Sequence, residues 1–245
     1  MPQAFLSSNW SNTLMYITRL VTILSCLLFF LGTPFGNTYP WYQRALIANA
    51  ATFALRLHQR IAQRGNQPRL SQESMQLIVS EDSLHYLLYS VIFLLTPPVT
   101  VALAPIFCFA FLHCLGFTQN LLMLYAGKSE NPSILTKKIL DCISMAQGHS
   151  DNVLRIIAIH EILLMVISIV LAFSGRIPLL PFFYYHFLKL RYTSRRNPYC
   201  RRVFSELRIA FHQLADHPNC PQFVRSIIRG TVNFISRLSP SEHTA

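Results

Sequence analysis

Charged residues are scarce in this chain of 245 residues, at 13% of the sequence, and only 10 residues are Asp or Glu. Soluble globular domains carry about 25% charged residues, so there is too little charge here to cover a soluble particle of this size. Apolar residues make up 52% of the chain and the mean hydropathy is +0.35. This composition argues against a soluble enzyme, a disordered chain and a coiled coil, and it predicts a multi-pass membrane protein.

Signatures of a metal centre or a catalytic site are also missing from the sequence. The six cysteines form no CxxC pair and no Cys/His cluster with the spacing of zinc ligands. No P-loop, no GxSxG elbow and no His followed five residues later by Asp is found. We therefore expect free thiols, no cofactor, no metal, no catalytic residue and a non-enzymatic function.

Three stretches are long and apolar enough to cross a bilayer, which takes about 20 largely apolar residues. They cover about 14–36, 99–125 and 152–175. Three weaker runs lie beside them at about 41–60, 83–96 and 177–190. Each weak run is joined to a strong one by a break rich in Pro or Gly, which ends helices and reverses the chain. The pattern predicts an all-α, multi-pass bundle of three helical hairpins over residues 1–190.

The distribution of basic residues bears on how many of these runs enter the membrane. If all six enter and return, the bases of 56–69, 128–155 and the C-terminal region share one side. The turns on the other side then carry only Arg176. If only the three strong runs span the membrane, Lys137 and its basic neighbours lie on the opposite side of the membrane from the C-terminus. Basic residues in short loops favour the cytosol, so the hairpin arrangement is preferred and the C-terminus is expected to be cytosolic. In this arrangement the three weaker runs are either re-entrant or buried only in the cytosolic leaflet.

Residues 191–245 form a distinct cytosolic region with nine basic and three acidic residues. Two amphipathic helices are predicted there, at about 200–215 and from Pro221 onward. An apolar stripe beside arginines is typical of a helix lying in the membrane interface, although packing on the membrane domain or on each other is an equally open alternative. The predicted membrane-interface residues are Phe223, Val224, Ile227, Ile228, Phe234, Ile235 and Leu238. The basic patch expected to bind anionic headgroups or a partner, rather than nucleic acid, comprises Arg191, Arg195, Arg196, Arg201, Arg202, Arg208, Arg225 and Arg229.

His160 and Glu161 place polar groups inside the third strong run. A carboxylate within a membrane span is costly and indicates a functional site. One hypothesis is a hydrogen-bonded clamp between helices, with partners among His85, Tyr86, Asn49 and Arg155. The alternative is an ion-conducting protein or channel regulator in which Glu161 binds a proton or cation. The clamp is favoured because no second intramembrane carboxylate is evident for a relay.

Several segments together resemble the transmembrane protein 33 family, which includes the insect Krüppel homologue two and fungal pore-membrane proteins. The resemblance covers almost the whole chain, in order. It rests on the segments Glu81-Asp-Ser-Leu-His-Tyr-Leu-Leu-Tyr-Ser90, Arg191-Tyr-Thr-Ser-Arg-Arg-Asn-Pro-Tyr-Cys-Arg201, Phe204-Ser-Glu-Leu-Arg-Ile209 and Phe234-Ile-Ser-Arg-Leu238.

The resemblance implies a non-enzymatic protein of the endoplasmic reticulum membrane and nuclear envelope. Family roles include regulation of the tubular reticulum network, unfolded-protein-response signalling and calcium homeostasis. The implied partners are the lipid bilayer, reticulon-type shaping proteins, stress sensors or calcium channels, and nucleoporins or an import receptor at the nuclear pore. No catalytic residue carries over from the family.

Overall fold

A computed structural model of the chain describes residues 10–32, 37–63, 78–126, 133–194, 198–218 and 220–238. Within these ranges the chain is helical and contains no strand. Three helices are long and apolar enough to span a membrane: α1 (Trp10–Leu31), α4 (Leu103–Ala126, preceded by a 3₁₀ turn at Thr100–Ala102) and α6 (Ser150–Phe173). At 1.5 Å per residue, the 22 residues of α1 extend for about 33 Å, which matches the hydrocarbon thickness of a bilayer. The prediction of an all-helical, multi-pass membrane bundle is confirmed.

The three weaker runs also form helices, and these lie at the centre of the bundle. They are α2 (Tyr39–Gln63), α3 (Asp82–Leu94) and α7 (Leu180–Thr193). Seven of the 13 residues of α3 are buried, and the largest buried side chains of the core come mostly from these three helices. By contrast, α1 and α6 expose many of their Ile, Leu and Val side chains. Each central helix buries a larger share of its residues against protein than α1 or α6 does. Buried polar residues find partners there, as Asn49 does with Ser90.

Helices α1 and α2 pack antiparallel along one another, as the first predicted hairpin requires. The Thr18 and Thr52 hydroxyl oxygens are 2.7 Å apart, and Gln59 donates to the Ser11 hydroxyl at 2.5 Å. Helices α6 and α7 form the third hairpin, where Gly175 adopts a φ of +73°, the left-handed conformation that only glycine adopts easily.

The middle predicted hairpin differs from this pattern. Helix α3 packs mainly against α2 and α7 rather than along α4. It meets the next segment through aromatic side chains: the Tyr86 and Phe109 ring centroids are 4.5 Å apart, and the Tyr89 hydroxyl donates to the Ala102 carbonyl at 2.7 Å. Aromatic side chains thus connect α3 to the segment that follows it, while its main helix contacts are with α2 and α7.

Three further helices lie beside the bundle: α5 (Ile134–Gly148), α8 (Tyr199–Asp216) and α9 (Gln222–Leu238). Helix α5 was not predicted; it begins at Ser133, whose hydroxyl accepts the Leu135 N–H at 3.3 Å, and it packs on α4 with Ile143 buried. Helix α8 packs on α6, and α9 packs on α8. The two predicted C-terminal helices are therefore present, close to their predicted bounds.

Candidate functional site

The side chain of Glu161, in the middle of α6, is completely buried, with 0% exposure. The Arg191 Nε–H of α7 lies 3.2 Å from each carboxylate oxygen. The Tyr86 hydroxyl of α3 donates to Oε1, and the Tyr184 hydroxyl donates to the backbone carbonyl of Glu161 at 2.8 Å. Both carboxylate oxygens thus face a protein donor.

Arg191 is the cation of this cluster, and its side chain is only 1% exposed. Its Nη1 donates to the Asp82 carboxylate at 3.2 Å, and its guanidinium carbon lies 4.9 Å from the Tyr86 ring centroid. The carboxylates of Glu161 and Asp82 lie against the guanidinium and compensate its positive charge. The guanidinium therefore stays charged while buried.

We call Asp82, Tyr86, Glu161 and Arg191 the Glu161 cluster. It joins α3, α6 and α7, and the Ser194 hydroxyl extends it by donating to Asp82 at 2.7 Å. A buried ion pair is costly to desolvate, and removing one partner leaves an uncompensated charge. Two carboxylates around one guanidinium, with tyrosine donors, provide a clamp between helices.

Tyr86 is confirmed among the predicted partners of Glu161, whereas the other three bind elsewhere. Asn49 donates to Ser90 at 2.8 Å, a His85 ring nitrogen lies 2.7 Å from the Val79 carbonyl, and Arg155 pairs with Glu206 at 2.7 Å. His160 is half-buried and contacts the Ile156 carbonyl of its own helix at 2.9 Å, so it lies outside the cluster.

Arg191 was predicted to belong to an exposed basic patch, and the structure corrects this. Helix α7 continues to Thr193 and turns Arg191 toward α6 and α3, where the two carboxylates compensate its charge. Asp82 was missed as well, because it lies 109 residues away from Arg191 along the chain. The helical bundle therefore extends beyond residue 190, where the sequence placed its boundary.

The second candidate site is the pair of C-terminal helices. Helix α9 contacts α8 through one edge, formed by Arg225, Arg229 and Val232, which share a face at helical spacing. Val232 is 6% exposed, Arg225 Nε donates to the Ala215 carbonyl at 2.8 Å, and Arg229 pairs with Asp216 at 2.8 Å. The hydrogen bond from Arg229 lowers the pKa of Asp216.

The predicted apolar face of α9 points the other way. Phe223 is 76% exposed, Phe234 63% and Ile227 50%; Val224 and Ile235 are also exposed, and Ile228 is half-buried. Leu238 ends the helix, and its side chain lies outside the described residues. The sequence left open whether α9 lies in the membrane interface or packs on protein. In the structure α9 packs on α8, and it does so through the edge formed by Arg225, Arg229 and Val232. Within the described residues its apolar face is left uncovered by protein.

The remaining basic residues have mixed environments. Arg202 and Arg208 are exposed, with the Arg202 guanidinium carbon 5.6 Å from the Tyr199 ring centroid, and Arg201 is half-buried. Arg225 and Arg229 contribute to the contact between α8 and α9. Arg195 and Arg196 lie outside the described residues. Among the described members of the patch, Arg191 is the one that is buried.

The described residues contain no group of three or more His, Cys, Asp or Glu that could hold a metal ion. All six cysteines are free thiols, with Cys26, Cys114 and Cys200 buried. The two candidate sites in the described residues are the paired charges of the Glu161 cluster and the amphipathic surface of α9.

Together, the apolar spans and the paired charges between them define an all-helical, multi-pass membrane protein. The family described as Transmembrane protein 33/Nucleoporin POM33 matches residues 3–241, and the chain belongs to this family. It is 43% identical to Transmembrane protein 33 of Rattus norvegicus and 42% identical to that of Homo sapiens, each over 97% of this chain and 93% of the relative. It is 26% identical to the Pore membrane protein of 33 kDa of Saccharomyces cerevisiae, over 81% of this chain and 74% of the relative. No solved structure is significantly similar to it.

Proposed function

We propose that this chain is a non-enzymatic protein of the endoplasmic reticulum and nuclear envelope that regulates the organisation of the tubular reticulum. In this proposal α8 and α9 lie on the cytosolic membrane surface, and the apolar face of α9 inserts between the headgroups. The observation that carries the proposal is the exposure of Phe223, Ile227 and Phe234 on one face of α9, directed away from its contact with α8.

The charges around this face suit a membrane surface. Arg202 and Arg208 are exposed on α8, and each base near an anionic leaflet contributes about 1 kcal/mol of attraction. Phenylalanine and isoleucine beside arginine are typical of helices that bury their apolar face to a depth of about 5–10 Å. Insertion into one leaflet adds area to that leaflet alone, which favours membrane curvature.

The attachment of α8 to the bundle would transmit this insertion to the membrane domain. Arg155 of α6 pairs with Glu206 at 2.7 Å, and the Tyr199 hydroxyl donates to Asp151. Val203 is buried in the same contact. A surface helix fixed to a spanning helix in this way holds the inserted face at a set depth, whereas a helix on a flexible tether would not.

The name of the yeast relative, Pore membrane protein of 33 kDa, supports the nuclear pore as a second location at which α8 and α9 act on the membrane. The exposed arginines of α8 provide a surface for an import receptor or a nucleoporin. Partnership with reticulon-type proteins, stress sensors or calcium channels follows from the family resemblance. Ion conduction through Glu161 is disfavoured, because Arg191 and Tyr86 already occupy its carboxylate.

A rescue experiment in cells that lack the chain tests the proposed function. Full-length protein carrying Phe223→Glu, Ile227→Glu and Phe234→Glu is expected to reach the reticulum but fail to restore the tubule-to-sheet ratio, because the carboxylates prevent insertion. The matched control carries Gln222→Glu, Ser226→Glu and Asn233→Glu, which add the same charge at other exposed positions of α9. Restoration by the control alone supports the proposal, and equal restoration by both variants contradicts it.

A further inference from the structure

A groove lies between the spanning helix α4 and helix α5, apart from the Glu161 cluster and from α9. Its volume is about 330 Å³, which is within the range of about 300–1,000 Å³ that is usual for ligand pockets. The groove is open to the outside of the bundle rather than enclosed. Apolar side chains of both helices form its walls: Phe111, Leu115, Ile139, Cys142 and Ala146.

The sequence of α5 separates its polar and apolar residues onto different faces. Residues three or four positions apart share a helix face. By this rule Lys137, Asp141 and Ser144 lie on one face, and all three are exposed. A different face carries apolar residues at the same spacing, and it is the face that lines the groove: Ile139, Cys142 and Ala146.

The α4 wall of the groove belongs to a membrane-spanning surface. Phe111 and Leu115 are about one helical turn apart, on a helix that is long and apolar enough to cross a bilayer. Phe111 is 44% exposed, and Ile139 across the groove is 38% exposed. The groove therefore continues the apolar surface that α4 presents to the acyl chains of the membrane.

Lys138 is the charged residue of the groove lining. Among the described residues it forms no ion pair and no hydrogen bond, and Asp141, one turn further along α5, does not pair with it. The C-terminal end of α5 lies beside the middle of α4, where the Gln147 side chain approaches Gly116. Lys138 precedes Ala146 by eight residues, or about 12 Å along the helix. The groove therefore has a cationic end and an apolar end.

We propose that this groove binds one acyl chain of an anionic phospholipid, with the phosphate of that lipid at Lys138. The shape and the charge of the groove both match such a lipid, in which an anionic phosphate is joined to a long apolar chain. An ammonium group binds phosphate as a point charge, and basic pockets between spanning helices bind anionic headgroups. The site does not involve α9, and it does not rest on the proposed function.

Alkylation of Cys142 reports whether the groove is occupied, because this free thiol is exposed and lines the groove. The purified full-length chain in neutral detergent is treated with N-ethylmaleimide, and peptide mass spectrometry gives the rate at each cysteine. Dioleoyl phosphatidic acid is expected to slow the alkylation of Cys142 in a saturable way. Dioleoyl phosphatidylcholine, which is neutral overall, and glycerol 3-phosphate, which has no acyl chain, are expected not to slow it. Cys220, which lies between α8 and α9, is the internal control, and its rate is expected not to change.

Two neighbouring lysines provide a matched pair of variants. Lys138→Gln is expected to weaken the apparent affinity for phosphatidic acid by about 10-fold, the loss expected for one charge-assisted hydrogen bond. Lys137→Gln removes the same charge from the face of α5 that does not line the groove, and it is expected to leave the affinity unchanged. Both lysines are exposed, so neither substitution is expected to prevent folding.

Three results would overturn the proposal. Equal affinity in the Lys137→Gln and Lys138→Gln variants, or equal protection by the two lipids, would show that Lys138 does not bind the phosphate. Protection by glycerol 3-phosphate equal to that by phosphatidic acid would show that no acyl chain occupies the groove. Protection of Cys142 that appears without added lipid and rises with protein concentration would identify the occupant as a second copy of the chain.

Discussion

Replacing Glu161 by alanine is expected to lower the free energy of unfolding by about 3–5 kcal/mol. The substitution leaves the buried Arg191 without its main counter-charge, since the remaining carboxylate, Asp82, is partly exposed. It also removes the acceptor of the Tyr86 hydroxyl. Denaturant unfolding of the full chain in detergent micelles, followed by far-UV circular dichroism, measures this change.

Two companion variants separate the buried pair from a general effect of losing a carboxylate. Glu206→Ala breaks the exposed pair with Arg155 and is expected to cost no more than about 1 kcal/mol. The double variant Glu161→Leu with Arg191→Leu removes both buried charges and is expected to be more stable than Glu161→Ala. A cost for Glu161→Ala no larger than for Glu206→Ala would show that the cluster does not clamp the helices.

The second large effect is expected from tryptophan placed on α9 in a chain whose Trp10 and Trp41 are replaced by phenylalanine. In vesicles that contain brominated, partly anionic lipid, the fluorescence of an Ile227→Trp variant should be strongly quenched, because position 227 lies on the exposed apolar face. An Asn233→Trp variant, also exposed but on the polar side, should be quenched far less.

Ionic strength provides the check on this experiment. The arginines contribute through electrostatic attraction, which salt screens. Quenching of the Ile227→Trp variant should therefore weaken in high salt and in vesicles without anionic lipid. Equal quenching at positions 227 and 233 would mean that α9 does not lie in the interface with this face inward.

The spans and the faces of the helices could be predicted from the sequence because hydropathy and helical period are local properties. Residues 14–36, 99–125 and 152–175 correspond to α1, α4 and α6 within a few residues. The position of the weaker helices at the centre could not be predicted in the same way. Helix α3 is as apolar as the spans but shorter, whereas α2 and α7 are more polar, and the residues against which these helices are buried lie far away in the chain.

The pairing of Glu161 with Arg191 joins two residues far apart in the chain, yet their spacing about the hairpin turn does carry a signal in the sequence. Glu161 lies 14 residues before Gly175, and Arg191 lies 14 residues after Ile177, so an antiparallel hairpin turning at Arg176 brings the two to the same level. The predicted run ended at residue 190, and the region from Arg191 was assigned to the basic C-terminal part of the chain. That boundary assigned Arg191 to the wrong region.

Other features carry no such local signal. Asp82 and Ser194 meet only after α3 and α7 pack together, and their hydrogen bond spans 112 residues of sequence. On α9 the edge that contacts α8 is separate from the predicted apolar face and combines Val232 with two arginines. A mixed edge of this kind resembles an ordinary solvent-exposed surface until its partner is known.

The central claim is that the ends of the helices carrying the charged residues lie on one cytosolic surface. Protease protection in sealed microsomes tests it most directly, with epitope tags placed in separate full-length chains near residue 65, near residue 140 and at the C-terminus. The account predicts that external protease removes all three tags while the microsomes remain sealed. Protection of the tag near residue 140, together with cleavage of the C-terminal tag, would contradict it.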